Sequence, residues 1–139
     1  MTKSTVAPSK AAKSVTDYTD RMYWNGMIKM SLSKFFILGV LHDRPMHGYE
    51  IAREVEATTR GCCAPVHGTI YPVLHEFEQG GYITVQSETV AGRGRKVYTL
   101  TDKGHEAYAV ATKAWMAVAT HIKKRNRLSA THPKDLTQA

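Results

Sequence analysis

Two short stretches hold the residue types that chemistry usually requires. The first is "TTRGCCAPVHGTIYPVL", Thr58 to Leu74, where the chain's two cysteines, Cys62 and Cys63, stand side by side with His67 a turn further on. The second is "AGRGRKVYTL", in which Arg93, Arg95 and Lys96 crowd a glycine-containing turn. A cysteine nucleophile needs a base and an oxyanion site, and scattered histidines do not supply them, so no enzyme is expected. A closed zinc site wants four ligands, and Cys62, Cys63 and His67 give three at most. Three readings of the pair stay open. It is two ordinary free thiols in a loop, a soft-metal or metalloid site because paired thiolates select soft ions, or a redox switch. No obligatory cofactor is implied; a metal or metalloid ion bound at Cys62 and Cys63 would be an effector.

Composition narrows the partners. The 139 residues suit one domain with a modest core, and the net charge of +7 favours an anionic partner such as nucleic acid or a lipid surface. No apolar run approaches the roughly 18 residues of a membrane span. The opening "MTKSTVAPSKAAKSVTDYTD" lacks the continuous apolar stretch of a secretory signal. Two adjacent cysteines are not a disulfide framework, so a cytoplasmic protein with no membrane partner is expected.

The elements that must position these residues follow from periodicity. Residues 1–16 are small, polar and basic, and are expected to form a disordered tail, either merely solvated or reaching toward DNA. Residues 17–30 read as an N-terminal helix with Tyr23, Met27 and Met30 on one packing face. "SLSKFFILGVLHD" gives a second, strongly apolar helix around Leu32–Leu41, and a third begins near Tyr49 and stops at Gly61. A further helix over about His67–Gly80 presents Ile70, Leu74 and Phe77 to the core. Pro72 would lose a bond and clash in its interior, so this helix must start late or bend. Val66 stands where a capping side chain is expected, which predicts a soft entry. "YITVQSETVAGRGRKVYTLT" reads as a β-hairpin, and Thr101-Asp102 as a capped helix start. In the last helix Tyr108, Ala111, Trp115, Val118 and Ile122 step by three and four, a seam suited to pairing two copies. The final dozen residues, 128–139, are expected to be a flexible tail.

The expected class is therefore mainly α with a small β-hairpin: a winged helix-turn-helix over residues 31–100, an extra N-terminal helix at 17–30 for dimer packing, and a long C-terminal helix at 101–127. In that layout the third compact helix enters the major groove and the ribbon flanks the duplex.

"GTIYPVLHEFEQGGYI", "GRGRKVYTLTDKGHEAY" and "FFILGVLHDRPMHGYEI" together resemble the PadR-like transcriptional regulators, over about Leu32 to Ile122. The resemblance implies a dimeric winged-helix repressor on a palindromic operator. It implies that Gly68, Thr69, Tyr71 and His75 meet double-stranded DNA, with the wing tip at Arg93, Arg95 and Lys96. Thr and Tyr hydroxyls at a helix start and arginines on a wing are suited to phosphate contact on physical grounds as well; otherwise Tyr71 is a half-buried core aromatic and the cations a solvated tip. The resemblance also places Trp115 in a dimerisation helix, where multidrug-binding relatives stack flat aromatic ligands. Here Trp24 and Tyr23 could wall such a site, or Trp115 is plain dimer packing. Release from DNA would then follow from a soft metal, metalloid or oxidant at Cys62-Cys63, the slightly favoured reading, or from an aromatic molecule at Trp115. An adaptor that binds protein rather than DNA on the same fold is the alternative of another class.

Overall fold

Each hydrophobic period becomes an element in the computed structural model, which describes residues 15–65 and 68–130. In chain order these are α1 (Arg21–Asp43), β1 (Met46–His47), α2 (Gly48–Thr59), α3 (Ile70–Gln79), β2 (Ile83–Val90), β3 (Arg93–Leu100) and α4 (Asp102–Ala130). The sheet is antiparallel with order β1-β3-β2, and the short first strand joins the ribbon through Met46 opposite Tyr98 and His47 opposite Val97. The expected mainly helical winged fold is present, with a third strand that two residues were too short to announce.

The two helices expected at 17–30 and 32–41 are one. Asp20 caps α1 by accepting the Met22 N–H at 2.9 Å, and the helix runs unbroken for 23 residues. No proline interrupts it, and Gly26 alone costs only about 1 kcal/mol. Its start lies four residues later than expected because residues 17–20 form a turn instead. Asp17 accepts from both the Thr19 N–H and its hydroxyl, which holds the Asp17 carboxyl below its ordinary range.

The DNA-reading candidate, α3, starts at Ile70 rather than His67, with Thr69 at its N-cap. Pro72 is then the third helical residue, where the N–H has no intrahelical acceptor, so the expected penalty vanishes. The cap position is thus Thr69 rather than Val66, and its side chain makes no capping hydrogen bond to the helix start. Val66 and His67 themselves lie outside the described residues, as do 1–14 and 131–139. At the wing tip Ala91 and Gly92 take φ of 53° and 79°, the left-handed pair of a two-residue primed turn.

Ile37 and Leu41 of α1, Ile51 and Val55 of α2, Leu74 of α3 and Ile83 of β2 are 2% exposed or less and form the centre of the core. Tyr49, near which this helix was expected to begin, points outward, and Ile51 takes the buried place. The start of α4 locks on through Thr101, whose hydroxyl accepts the Gly104 N–H at 3.1 Å and donates to the Gly81 carbonyl at 2.7 Å. A side chain at Gly104 would run into the Tyr82 carbonyl, so helix and sheet meet there backbone to backbone. From that anchor α4 continues to Ala130, past the boundary expected at 127.

Candidate nucleic-acid interface

The wing and the helices beside it enclose a cavity of about 510 Å³, lined by His47, Gly48, Tyr49, Tyr71, Arg93, Gly94, Arg95, Lys96 and Tyr98. Three elements meet here for reasons visible in the chain. β1 runs straight into α2, so His47 serves both as strand partner and as N-cap, and its backbone N–H donates to the Glu50 carboxylate at 3.0 Å. That bond, ahead of Arg44, holds the Glu50 carboxyl below its ordinary range. Tyr71, in the first turn of α3, lays its ring on Gly48: a Cβ there would stand 2.7 Å from the Tyr71 hydroxyl oxygen. Only glycine admits this contact, which fixes α3 against α2. Tyr98 closes the cavity floor. Burial pushes its phenol up, with Tyr71 and Glu78 adding, so it stays protonated.

The cationic side is organised rather than loose. Arg95 donates to the Tyr49 hydroxyl at 3.2 Å and lies over the Tyr49 ring, 5.6 Å from its centre. His47 stacks parallel to that ring on the other part of the cleft, with centroids 5.9 Å apart. Among the described residues no carboxylate oxygen lies within 4.0 Å of Arg93, Arg95 or Lys96. Three cationic residues and three tyrosines line one concavity that has no carboxylate in its lining, which suits a phosphate oxygen.

The structure thus gathers Tyr71, Arg93, Arg95 and Lys96, four of the residues singled out from sequence, and adds His47 and Tyr49. It does not bring Gly68, Thr69 or His75 into the cavity. Gly68 and His75 are exposed nearby on the α3 side, and Thr69 lines a separate groove between α1 and α3. His47 and Tyr49 carried no signal of their own, since 46 to 49 residues separate them from the wing they touch.

A second cavity, also about 510 Å³, lies between α1 and α4. Trp24, Met27, Phe35, Trp115, Met116, Val118 and Ile122 line it, together with Ser31 and Thr112. The expected seam is divided along α4. Tyr108 packs within the chain, stacked on Phe35 at 5.4 Å and against His42, whereas Trp115, Val118 and Ile122 open onto the groove. Ala111 is half-buried between them. Tyr23 does not line the groove; it meets the Trp24 ring edge-on at 5.1 Å and backs it, while Trp24 donates its indole N–H to the Tyr18 carbonyl at 2.8 Å.

The cysteine pair is split. Cys62 is exposed and Cys63 is buried at 1% exposure, with its backbone N–H donating to the Thr59 hydroxyl at 3.2 Å. Burial pushes the Cys63 thiol up to about 12, Cys62 adding to the shift and Lys29 opposing it. A thiol so placed is neither thiolate nor readily reached. Among the described residues no group of three or more histidine, cysteine or acidic side chains could hold a metal ion, and no helix is long and apolar enough to cross a membrane.

Comparison with known proteins gives a consistent result. Residues 37–110 match the transcriptional regulator PadR-like family. The chain is 34% identical over 71 residues to Transcriptional regulator YqjI of Escherichia coli, covering 51% of this chain and 33% of that protein. It is 33% identical over 79 residues to Negative transcriptional regulator PadR of Bacillus subtilis, covering 55% and 43%. A transcriptional regulator of Mycobacterium tuberculosis is 31% identical over 88 residues, covering 61% of this chain and 79% of that one. The chain therefore spans only a third to two-fifths of the first two relatives. Among solved structures, a Streptococcus mutans protein superposes with a TM-score of 0.61 at 27% identity, covering 69% of this chain and 87% of that one. A PadR-like transcriptional regulator of Bacillus cereus shares the fold, with a TM-score of 0.61 at 24% identity, covering 70% and 94%.

Proposed function

The chain belongs to the PadR-like family of transcriptional regulators, and from that premise we propose that it is a DNA-binding repressor acting as a homodimer on a palindromic operator. The observation that carries the DNA reading is the cavity at the wing, where Arg93, Arg95 and Lys96 stand with Tyr49 and Tyr71 and no acidic residue is part of the lining. α3 enters the major groove, with Gly68, Thr69 and His75 at the duplex, while the wing cations take phosphates alongside. The B. subtilis relative is named a negative regulator, which is the direction we propose here.

The apolar groove supports pairing of two copies. Trp24 is 48% exposed, Val118 43% and Ile122 63% in the single chain. Such a contiguous apolar face on a soluble chain marks an interaction surface, and two copies of a helix pair bury one another as a four-helix arrangement. The same groove supports a planar aromatic effector. It offers flat indole and phenyl walls and flexible methionines, with hydroxyls but no charge. This reading now outweighs a thiol effector. A soft ion at Cys62 would need the buried Cys63 to turn out of the core. An adaptor reading has no such support: it leaves the wing cavity without an occupant.

Both halves are testable on one sample. Fluorescence anisotropy with the duplex upstream of the chain's own reading frame, repeated at rising salt, measures the DNA function; affinity independent of salt would reject it. The sequence holds two tryptophans, and both line the groove. Intrinsic fluorescence therefore reports directly on aromatic ligands there, and quenching by a planar aromatic that also releases DNA is the result expected.

A further inference from the structure

Glu88 and Arg95 are directly opposite each other on β2 and β3. Opposed side chains on one face of a sheet stand about 5 Å apart at Cβ, and opposite charges so placed ordinarily pair. Here they do not. The Glu88 carboxylate lies 3.3 Å from His47 Nε2, reached across β3, and Arg95 turns to the Tyr49 hydroxyl instead.

We propose that His47 is a positioning residue for DNA binding: it holds Glu88 away from Arg95 and so keeps the wing cavity free of a neutralising carboxylate. This rests on the DNA reading above. The ring is well placed for the task. Its backbone is fixed twice over, by pairing with Val97 and by the bond from its N–H to Glu50, neither of which uses the side chain beyond Cβ. Its face stacks on Tyr49, the same residue that seats Arg95, and its edge meets Glu88. Its Nε2 faces the Glu88 carboxylate at 3.3 Å and its Nδ1 faces the Lys96 carbonyl oxygen at 3.4 Å, so the ring is held at both nitrogens. His47 side-chain exposure is 17% and that of Glu88 is 46%, so the anchor is the sheltered partner and the carboxylate the one free to swing.

Loss of the anchor returns Glu88 to its cross-strand partner. The carboxylate would then compete with a DNA phosphate for Arg95 and repel it as well. The size of an exposed ion pair sets the scale, about fivefold in affinity for the two wings together.

The experiment is a double-mutant cycle on the full chain, read by anisotropy with a mixed-sequence duplex of roughly three helical turns, so that only the sequence-independent phosphate term is measured. His47→Ala is expected to weaken binding by about fivefold and to lower the salt slope by about one phosphate contact per wing. Glu88→Gln alone should stay within about threefold of the parent chain. The combination His47→Ala/Glu88→Gln should recover the affinity of Glu88→Gln, and His47→Gln, which retains an N–H donor, should bind like the parent. Thermal melts of each variant separate a folding defect from a binding one, and a folding defect in His47→Ala would not be repaired by removing the Glu88 charge. If the double variant binds as weakly as His47→Ala, His47 does not act through Glu88 and the proposal is overturned. If the parent chain itself binds without salt dependence, the DNA reading fails first, and that result is distinguishable from a failure of the cycle.

Discussion

At the wing, arginines, a lysine and three tyrosines surround about 510 Å³; between α1 and α4, tryptophans, methionines and aliphatic side chains surround the same volume. The two concavities belong to one small chain and are equal in size, yet their linings have opposite chemistry. A cationic, hydroxyl-bearing cleft gains from a charged oxygen and loses little by standing in water alone. An uncharged apolar groove gains only by excluding water and remains a liability until something covers it. The first therefore fits an intermittent polyanionic partner, and the second a lasting partner or a small apolar guest. A regulator needs both: an attachment that can be released, and a joint that decides how two reading heads are spaced.

The strongest way to break this comparison is to put charge into the apolar groove. Val118→Glu/Ile122→Glu places carboxylates where pairing would bury them, at a cost of at least about 3 kcal/mol, and should shift sedimentation to the monomer by more than a hundredfold in dimer affinity. Both positions are exposed in the single chain, so circular dichroism should stay unchanged while operator binding falls with the dimer. At the other face, Arg95→Ala should weaken DNA binding by about tenfold and reduce the salt slope by about one contact per wing, leaving sedimentation alone. A smaller effect is expected from Gly48→Ala. The new methyl meets the Tyr71 ring and displaces α3 or the ring, lowering stability by about 1–2 kcal/mol and affinity by a few fold.

Least of all should come from the thiols. Alkylation of the native protein near neutral pH is expected to modify Cys62 alone by mass spectrometry, with Cys63 reacting only after unfolding. The raised Cys63 thiol also sets a pH signature. Below the ordinary thiol range both folded and unfolded chains hold the proton; above it the unfolded chain releases the proton while the folded one keeps it up to about 12. Stability should therefore decline as pH rises through that window, more steeply in the parent chain than in Cys63→Ala, as chemical denaturation at a series of pH values would record.

The sequence was most legible where one local pattern decides the structure. The long helix α4, the glycine turn of the wing and the Thr101 cap read directly from neighbouring residues. Departures arose where tertiary context governs. The joining of residues 21–43 into one helix depends on an absence of breakers rather than on any positive signal. The two-residue β1 exists only because β3 lies beside it, and Tyr49 turns outward because Arg95, distant in sequence, receives it. The candidate site divides in the same way. Its cations sit together in "GRGRK" and were visible at once, whereas His47 and Tyr49 join them only through the fold. The cysteine pair shows the converse, since adjacency in sequence suggested shared chemistry that an alternation of burial has divided.

The central claim is that the wing cavity is a phosphate site, and the direct test is the slope of log affinity against log salt for the 139-residue chain on duplex DNA. With Arg93, Arg95 and Lys96 engaged on both wings of a dimer, the slope should be about −5, and it should fall to near zero in the chain with all three replaced by alanine. An equal slope in the two proteins would contradict the account.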